Sequence, residues 1–224
     1  MNSTYDAQFK QIKNINWLPW IGANYDTSKI LLVADSHYDD GCGWLDGNPL
    51  ATKQFINNQG LQSDKPQFSK AKILREIEKA VMNVPNTSYE QRLSFWNGVS
   101  YFNLSPTLMP SPRVRPSDDD FDKGWLNFME IVDIIKPKYI IKFAYAGIGR
   151  LGAYLTHHQE TWQRKNVKDF YKKPFVVNLS HKNADQYKIV FTHHPTGARG
   201  YNYKKWAEQI HAEFPDLHTH FNSN

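Results

Sequence analysis

The chain has 224 residues, 40% of them hydrophobic and 22% charged, with a formal net charge of +5. Its length suits a single domain that buries roughly 70% of its unfolded-state surface around one core. One cysteine, Cys42, excludes an internal disulfide and any cluster held by several thiolates, and no apolar run approaches the length of a membrane-spanning helix.

A reducing compartment is the expectation from the cysteine usage. The first 17 residues lack the apolar core of a signal peptide, so the cytoplasm is the expected location. The positive balance suits an anionic partner such as nucleic acid without requiring one. The 7 Trp, 12 Tyr and 13 Phe can stack on bases, but most are expected in the core.

In chain order, residues 29–34 (KILLVA) form the first expected strand, a continuous apolar run that ends in Asp35, Ser36 and His37. Residues 69–84 place Ile73, Ile77, Ala80, Val81 and Val84 on one helical face, with Pro85 as a stop. A second strand is expected at 98–103 (GVSYFN), followed by an ordered loop or lid at 106–122 with four prolines and an acidic triplet. A helix at 122–135 leads to a third strand at 139–144 (YIIKFA), and another helix covers 149–159. Residues 174–179 read as a short edge strand with an acceptable leading proline. The fourth main strand, 188–192, runs into His193-His194-Pro195, and a helix at 203–214 closes the chain. This alternation predicts one mostly parallel sheet covered on both faces.

Ligands of such sheets bind beyond the carboxyl ends of the strands. Those ends carry Asp35-Ser36-His37-Tyr38, then Asn103 and Ser105, then Tyr145, then His193 to Gly197. Asp35 can orient water or stabilise positive charge, and His37 stands two residues on. Ser36 lacks a nucleophile elbow. Asn103 offers the paired donor and acceptor that read a nucleobase edge, with Tyr101 and Phe102 beside it.

Adjacent histidines at one strand end generally point apart, and no H-x-H or H-E-x-x-H motif accompanies them, so neither metal nor cofactor is expected. His157-His158 reads as an exposed pair. Thr196, Arg199, Tyr201, Lys204 and Lys205 lie in a glycine-containing basic stretch suited to backbone phosphates, with an aromatic able to wedge or stack. Arg113, Arg115 and Lys123 add charge that Asp118 to Asp120 offset locally. No P-loop motif is present.

Taken together and in order, these motifs resemble the uracil-DNA glycosylase superfamily across about residues 15–210. Ala34-Asp35-Ser36-His37-Tyr38 resembles its G-Q-D-P-Y segment, Gly98 to Asn103 its G-V-L-L-L-N segment, and His194-Pro195-Thr196 with Arg199-Gly200-Tyr201 its H-P-S and R-G-F segments. A bacterial branch with G-E-S-H-Y after the first strand is more similar still. The resemblance implies a three-layer α/β/α sandwich around a central, mostly parallel four-stranded sheet. It also implies a flipped base read by Asn103, a pocket shaped by Tyr38, and His194 donating to the leaving base.

Ser36 occupies the place of the superfamily's water-activating aspartate, with the carboxylate one residue earlier at Asp35. Ala34 and His37 replace the motif's glycine and proline. The expected site therefore holds Asp35, Ser36, His37 and His194 as catalytic residues, Tyr38, Asn103 and Phe102 as substrate contacts, and the 196–205 stretch as the DNA contact. DNA is the expected partner of a monomer. A hydrolase of a free nucleotide or other small nucleobase ligand, and a silent nucleic-acid binder, are the alternatives.

Overall fold

The run ILLVA at 30–34 is buried at every position, as a parallel strand covered on both faces must be. In the computed structural model, which describes residues 2–39, 41, 43–61, 68–158, 162–170, 173–181, 185–196 and 201–221, it is one of seven strands. These are β1 (Trp20–Ile21), β2 (Ile30–Ala34), β3 (Val99–Asn103), β4 (Tyr139–Phe143), β5 (Trp162–Phe170), β6 (Lys173–His181) and β7 (Gln186–Thr192). Their order across the sheet is β1-β3-β2-β4-β7-β6-β5.

The four strands read most directly from sequence, β3, β2, β4 and β7, are neighbours and run parallel. The expected four-stranded sheet is thus corrected to a seven-stranded mixed one, extended by antiparallel β1 on one side and by β6 and β5 on the other. β6 is an interior strand rather than the expected edge. The edge is β5, whose sequence WQRKNVKDF carries no apolar alternation and three basic residues, a composition that discourages further strand pairing.

Period-two alternation splits the core. Leu31, Val33, Phe102 and Ile140 face one cluster, and Ile30, Leu32, Tyr101 and Ile141 face the other. The first is closed by α6 (Asp118–Ile135) and α7 (Ile148–His157), with α1 (Asp6–Phe9) at its margin. The second is closed by α4 (Phe68–Met82), α5 (Tyr89–Gly98) and α8 (Tyr203–Glu213). Two further short α-helices are α2 (Tyr25–Ser28) before β2 and α3 (Ala51–Phe55), which passes directly into a π-helical turn at Ile56–Leu61.

α6 begins at Asp118, four residues before the expected start. Ser117 and Asp120 form a reciprocal capping box, and the acidic triplet occupies the first turn, where the helix dipole favours negative charge. Those aspartates serve the helix terminus, so the loop before it ends at 117. Gly124 then lets α6 approach the end of β3, because a Cβ there would collide with the Leu104 carbonyl. Gly124→Ala is expected to lower stability by about 1–3 kcal/mol through forced displacement of α6, read as a fall in the urea midpoint at unchanged slope.

Among the described residues, no helix is long and apolar enough to cross a membrane.

Candidate functional site

The parallel register brings the four strand ends to one edge. Backbone pairing between β2 and β3 continues beyond the strands, with Leu104 N–H donating to the Ala34 carbonyl and Ser105 N–H to that of Asp35. Asp35 thereby leaves the sheet in a fixed direction.

Its carboxylate is 1% exposed and forms an ion pair through Oδ1 with Lys142, which is itself fully buried in β4. Lys142 Nζ also donates to the carbonyls of Phe143 (3.3 Å) and Ala144 (3.4 Å). Ala144 has φ of 101°, a strained backbone for a residue with a Cβ. Strain of this kind, worth about 1–3 kcal/mol, concentrates at functional sites. Asp35 Oδ2 is buried with no hydrogen-bond partner among the described residues, and Arg115 Nη1 stands 3.8 Å away, from the proline-rich loop.

His194, at the end of β7, lies in the same electrostatic field. Burial lowers its pKa, the negative charge of Asp35 opposes that shift, and Lys142 and Arg115 add to it. The neutral form is therefore favoured. Its Nδ1 accepts the Thr196 N–H at 3.3 Å, which places the ring proton on Nε2. His193 turns elsewhere, packing between Tyr145 (5.3 Å) and Trp206 (4.9 Å).

Immediately after Asp35 in the chain, the segment Ser36-His37-Tyr38 borders a cavity of about 400 Å³. Tyr38, Trp44, Phe55 and Tyr101 supply aromatic walls, and Asn103, Gln54, Asn58 and Gln59 supply amides. Pro112 of the 106–117 loop completes the rim. Two buried polar atoms of the lining residues, Ser36 Oγ and Gln59 Oε1, have no hydrogen-bond partner among the described residues.

His37 is held deep in the fold. Its Nε2 lies 2.7 Å from Thr52 Oγ1 and 2.9 Å from Asn103 Nδ2, and its ring meets Trp17 edge-on at 4.8 Å. Burial pushes its pKa down to about 4, so it is neutral at pH 7. Its contacts steady Asn103, whose Oδ1 receives a long bond from the Tyr101 hydroxyl (3.5 Å).

The structure thus brings together Asp35, Ser36, His37, Tyr38, Asn103 and His194, and it separates others. Phe102 packs into the first core cluster, because alternation along β3 gives the cavity face to Tyr101 and Asn103. Tyr201 leans on the second cluster, its hydroxyl 3.4 Å from the Glu76 carbonyl, instead of standing free as a wedge. Lys204 is exposed, Lys205 is half-buried, Thr196 is exposed beside His194, and Arg199 lies outside the described residues.

Sequence reading passed over Lys142, although a lone charge within YIIKF was the available signal. Gln59 carried none, since INNQGL matches no regular period. Among the described residues no cluster of three or more His, Cys, Asp or Glu side chains is placed to hold a metal ion. No protein-family model matches the chain, and no curated protein matches it.

Proposed function

We propose that this protein recognises a damaged, uracil-type base flipped out of DNA and hydrolyses its N-glycosidic bond, as uracil-DNA glycosylases do. The observation that carries the reading is the pairing of two unlike neighbours at one sheet edge. An aromatic cavity with the Asn103 amide in its lining adjoins a charged group, Asp35 with Lys142, beside a neutral His194 whose proton is on Nε2.

Each part has a role in the chemistry. Aromatic walls stack on the base, and the Asn103 amide pairs with its lactam edge. As the bond from the sugar C1′ to the base nitrogen breaks, its electron pair moves onto the base, and an N–H donor such as His194 Nε2 stabilises the charge developing on the base oxygen. The sugar passes through an oxocarbenium-like state that the Asp35 carboxylate favours. A water then bonds to C1′, and its proton leaves towards Asp35 Oδ2, which accepts no hydrogen bond from the described residues and has the Arg115 guanidinium 3.8 Å away.

The first test incubates the protein with oligonucleotides containing uracil, hypoxanthine, xanthine or ethenocytosine, single-stranded and mismatched, followed by alkali. Abasic sites that vanish with Asp35→Asn or His194→Ala are expected. Their absence at stoichiometric protein overturns the reading. Asn103→Ala is expected to abolish the preference for a flipped damaged base, while the salt-dependent affinity for undamaged duplex stays nearly unchanged. Fluorescence anisotropy at two salt concentrations measures both, and equal loss of the two would reject the role of Asn103.

One observation favours a second reading. The 106–117 loop sends Pro112 to the cavity rim and Arg115 towards Asp35, which suits a free nucleotide enclosed with its phosphate near a guanidinium. Release of free base from nucleosides or nucleotides, with intact oligonucleotides untouched, would decide for it.

A further inference from the structure

The Asp35 carboxylate stands between two cations of opposite character. Lys142 is fully buried and bonds two backbone carbonyls as well as Oδ1, so it is a permanent part of the sheet edge. Arg115 is 56% exposed and stops 3.8 Å from Oδ2, an ion pair outside hydrogen-bond distance.

The loop that carries Arg115 is firm at its base and open at its tip. Met109 N–H donates to the His37 carbonyl (3.0 Å), and the Met109 carbonyl accepts from Asp39 N–H (2.8 Å). Thr107 Oγ1 bonds the Asp120 carboxylate, and Pro116 is buried. Between these anchors Pro110, Pro112, Arg113, Val114 and Arg115 are exposed, folded back by a bond from Val114 N–H to the Ser111 carbonyl (3.1 Å). Prolines at 110, 112 and 116 fix φ and stiffen the tip. Motion here falls to the Arg115 side chain and not to the backbone.

Where it stands, the guanidinium sets a positive charge beside the one Asp35 oxygen that accepts no hydrogen bond from the described residues, which opposes the arrival of a proton there. Its charge also reaches His194. A phosphate offers this guanidinium more than Asp35 does, namely two parallel N–H···O bonds in place of an unbonded pair.

We propose that Arg115 is a latch on Asp35 that a substrate phosphate releases. The guanidinium rests beside Oδ2 until a phosphate draws it away, so Asp35 takes a proton only when the base arrives on a phosphorylated sugar. This rests on the proposed function for the task of Asp35 and adds what keeps that residue idle.

The test presents uracil, or whichever of the four damaged bases gives abasic sites, in three forms: an oligonucleotide, the 2′-deoxynucleoside 5′-monophosphate and the phosphate-free 2′-deoxynucleoside. Native protein should release base faster from a phosphorylated form than from the nucleoside, and the faster of the two phosphorylated forms identifies the source of the phosphate. Arg115→Gln should release base from the nucleoside about fivefold faster than native protein, the scale of one exposed ion pair. The same variant should raise KM for the phosphorylated form about tenfold, the scale of one charged hydrogen bond. Opposite effects on two substrates separate a latch from a plain phosphate contact, whose loss leaves the nucleoside unchanged, and from a folding defect, which slows both. Arg113→Gln removes a neighbouring charge from the same exposed tip and should not speed the nucleoside. Unchanged or slower nucleoside release by Arg115→Gln, or equal speeding by Arg113→Gln, overturns the latch and leaves the glycosylase reading standing. No base release from any form overturns both.

Discussion

Lys142→Met is expected to destabilise the fold by about 3–5 kcal/mol, the cost of leaving a buried charge without its partner. The carboxylate of Asp35 is 1% exposed, and its companion sits in the middle of the sheet. Removing the ammonium leaves Asp35 with one oxygen that has lost its partner and another that had no hydrogen bond to lose. The double variant Lys142→Met/Asp35→Leu removes both charges and should recover most of that loss, because an apolar pair of similar volume often equals or exceeds a buried ion pair in stability. Urea unfolding of the two single variants and the double variant gives the coupling directly. If the double variant is no more stable than Lys142→Met, the pair is not what holds this edge. On the proposed function, the recovered double variant should remain inactive, which separates the chemical role of Asp35 from its structural one.

Stability should also fall by about 3 kcal/mol between pH 6.5 and pH 4 on account of His37 alone. Its folded pKa, about 4, lies below the ordinary 6.5 because the ring is buried. In that window the unfolded chain binds a proton that the folded chain refuses, so stability rises with pH and is complete above about 6.5. Burial shifts His194, His211 and His220 in the same direction. Glu78 opposes them: burial raises its pKa, so the folded protein takes up that proton more readily as the pH falls. Urea midpoints measured from pH 7.5 to pH 4 should show the slope, and His37→Gln should flatten it whatever its effect on stability at pH 7. An unflattened slope would place the titration elsewhere.

How much of this was legible beforehand depended on whether a feature is local. β2 and β4 could be read because a strand buried on both faces is a near-continuous apolar run, and the helices α4 and α8 because one apolar face recurs at helical spacing. β5 escaped because an edge strand answers to solvent as well as to its neighbour and needs no such run. The start of α6 was present in the sequence as Ser117 and Asp120 at capping-box spacing, yet the acidic triplet that follows Ser117 was read as part of a loop.

The candidate site divides in the same way. That polar residues follow the apolar runs at 35–38, 103 and 193–196 is a property of each segment alone, and it named Asp35, Tyr38, Asn103 and His194 correctly as strand-end residues. Asp35 and Lys142 are 107 residues apart, and only the adjacency of β2 and β4 makes them an ion pair. The facing of Asn103 and Tyr101 towards the cavity, with Phe102 turned into the core, follows from the register of β3 against β2. Amino-acid sequence by itself determined the buried strands and the chemistry waiting at their ends, because burial and strand termination are local free-energy choices. Tertiary structure alone decided which of those ends meet, which charge is neutralised and how large a cavity remains, because each of these depends on the order in which distant strands pair.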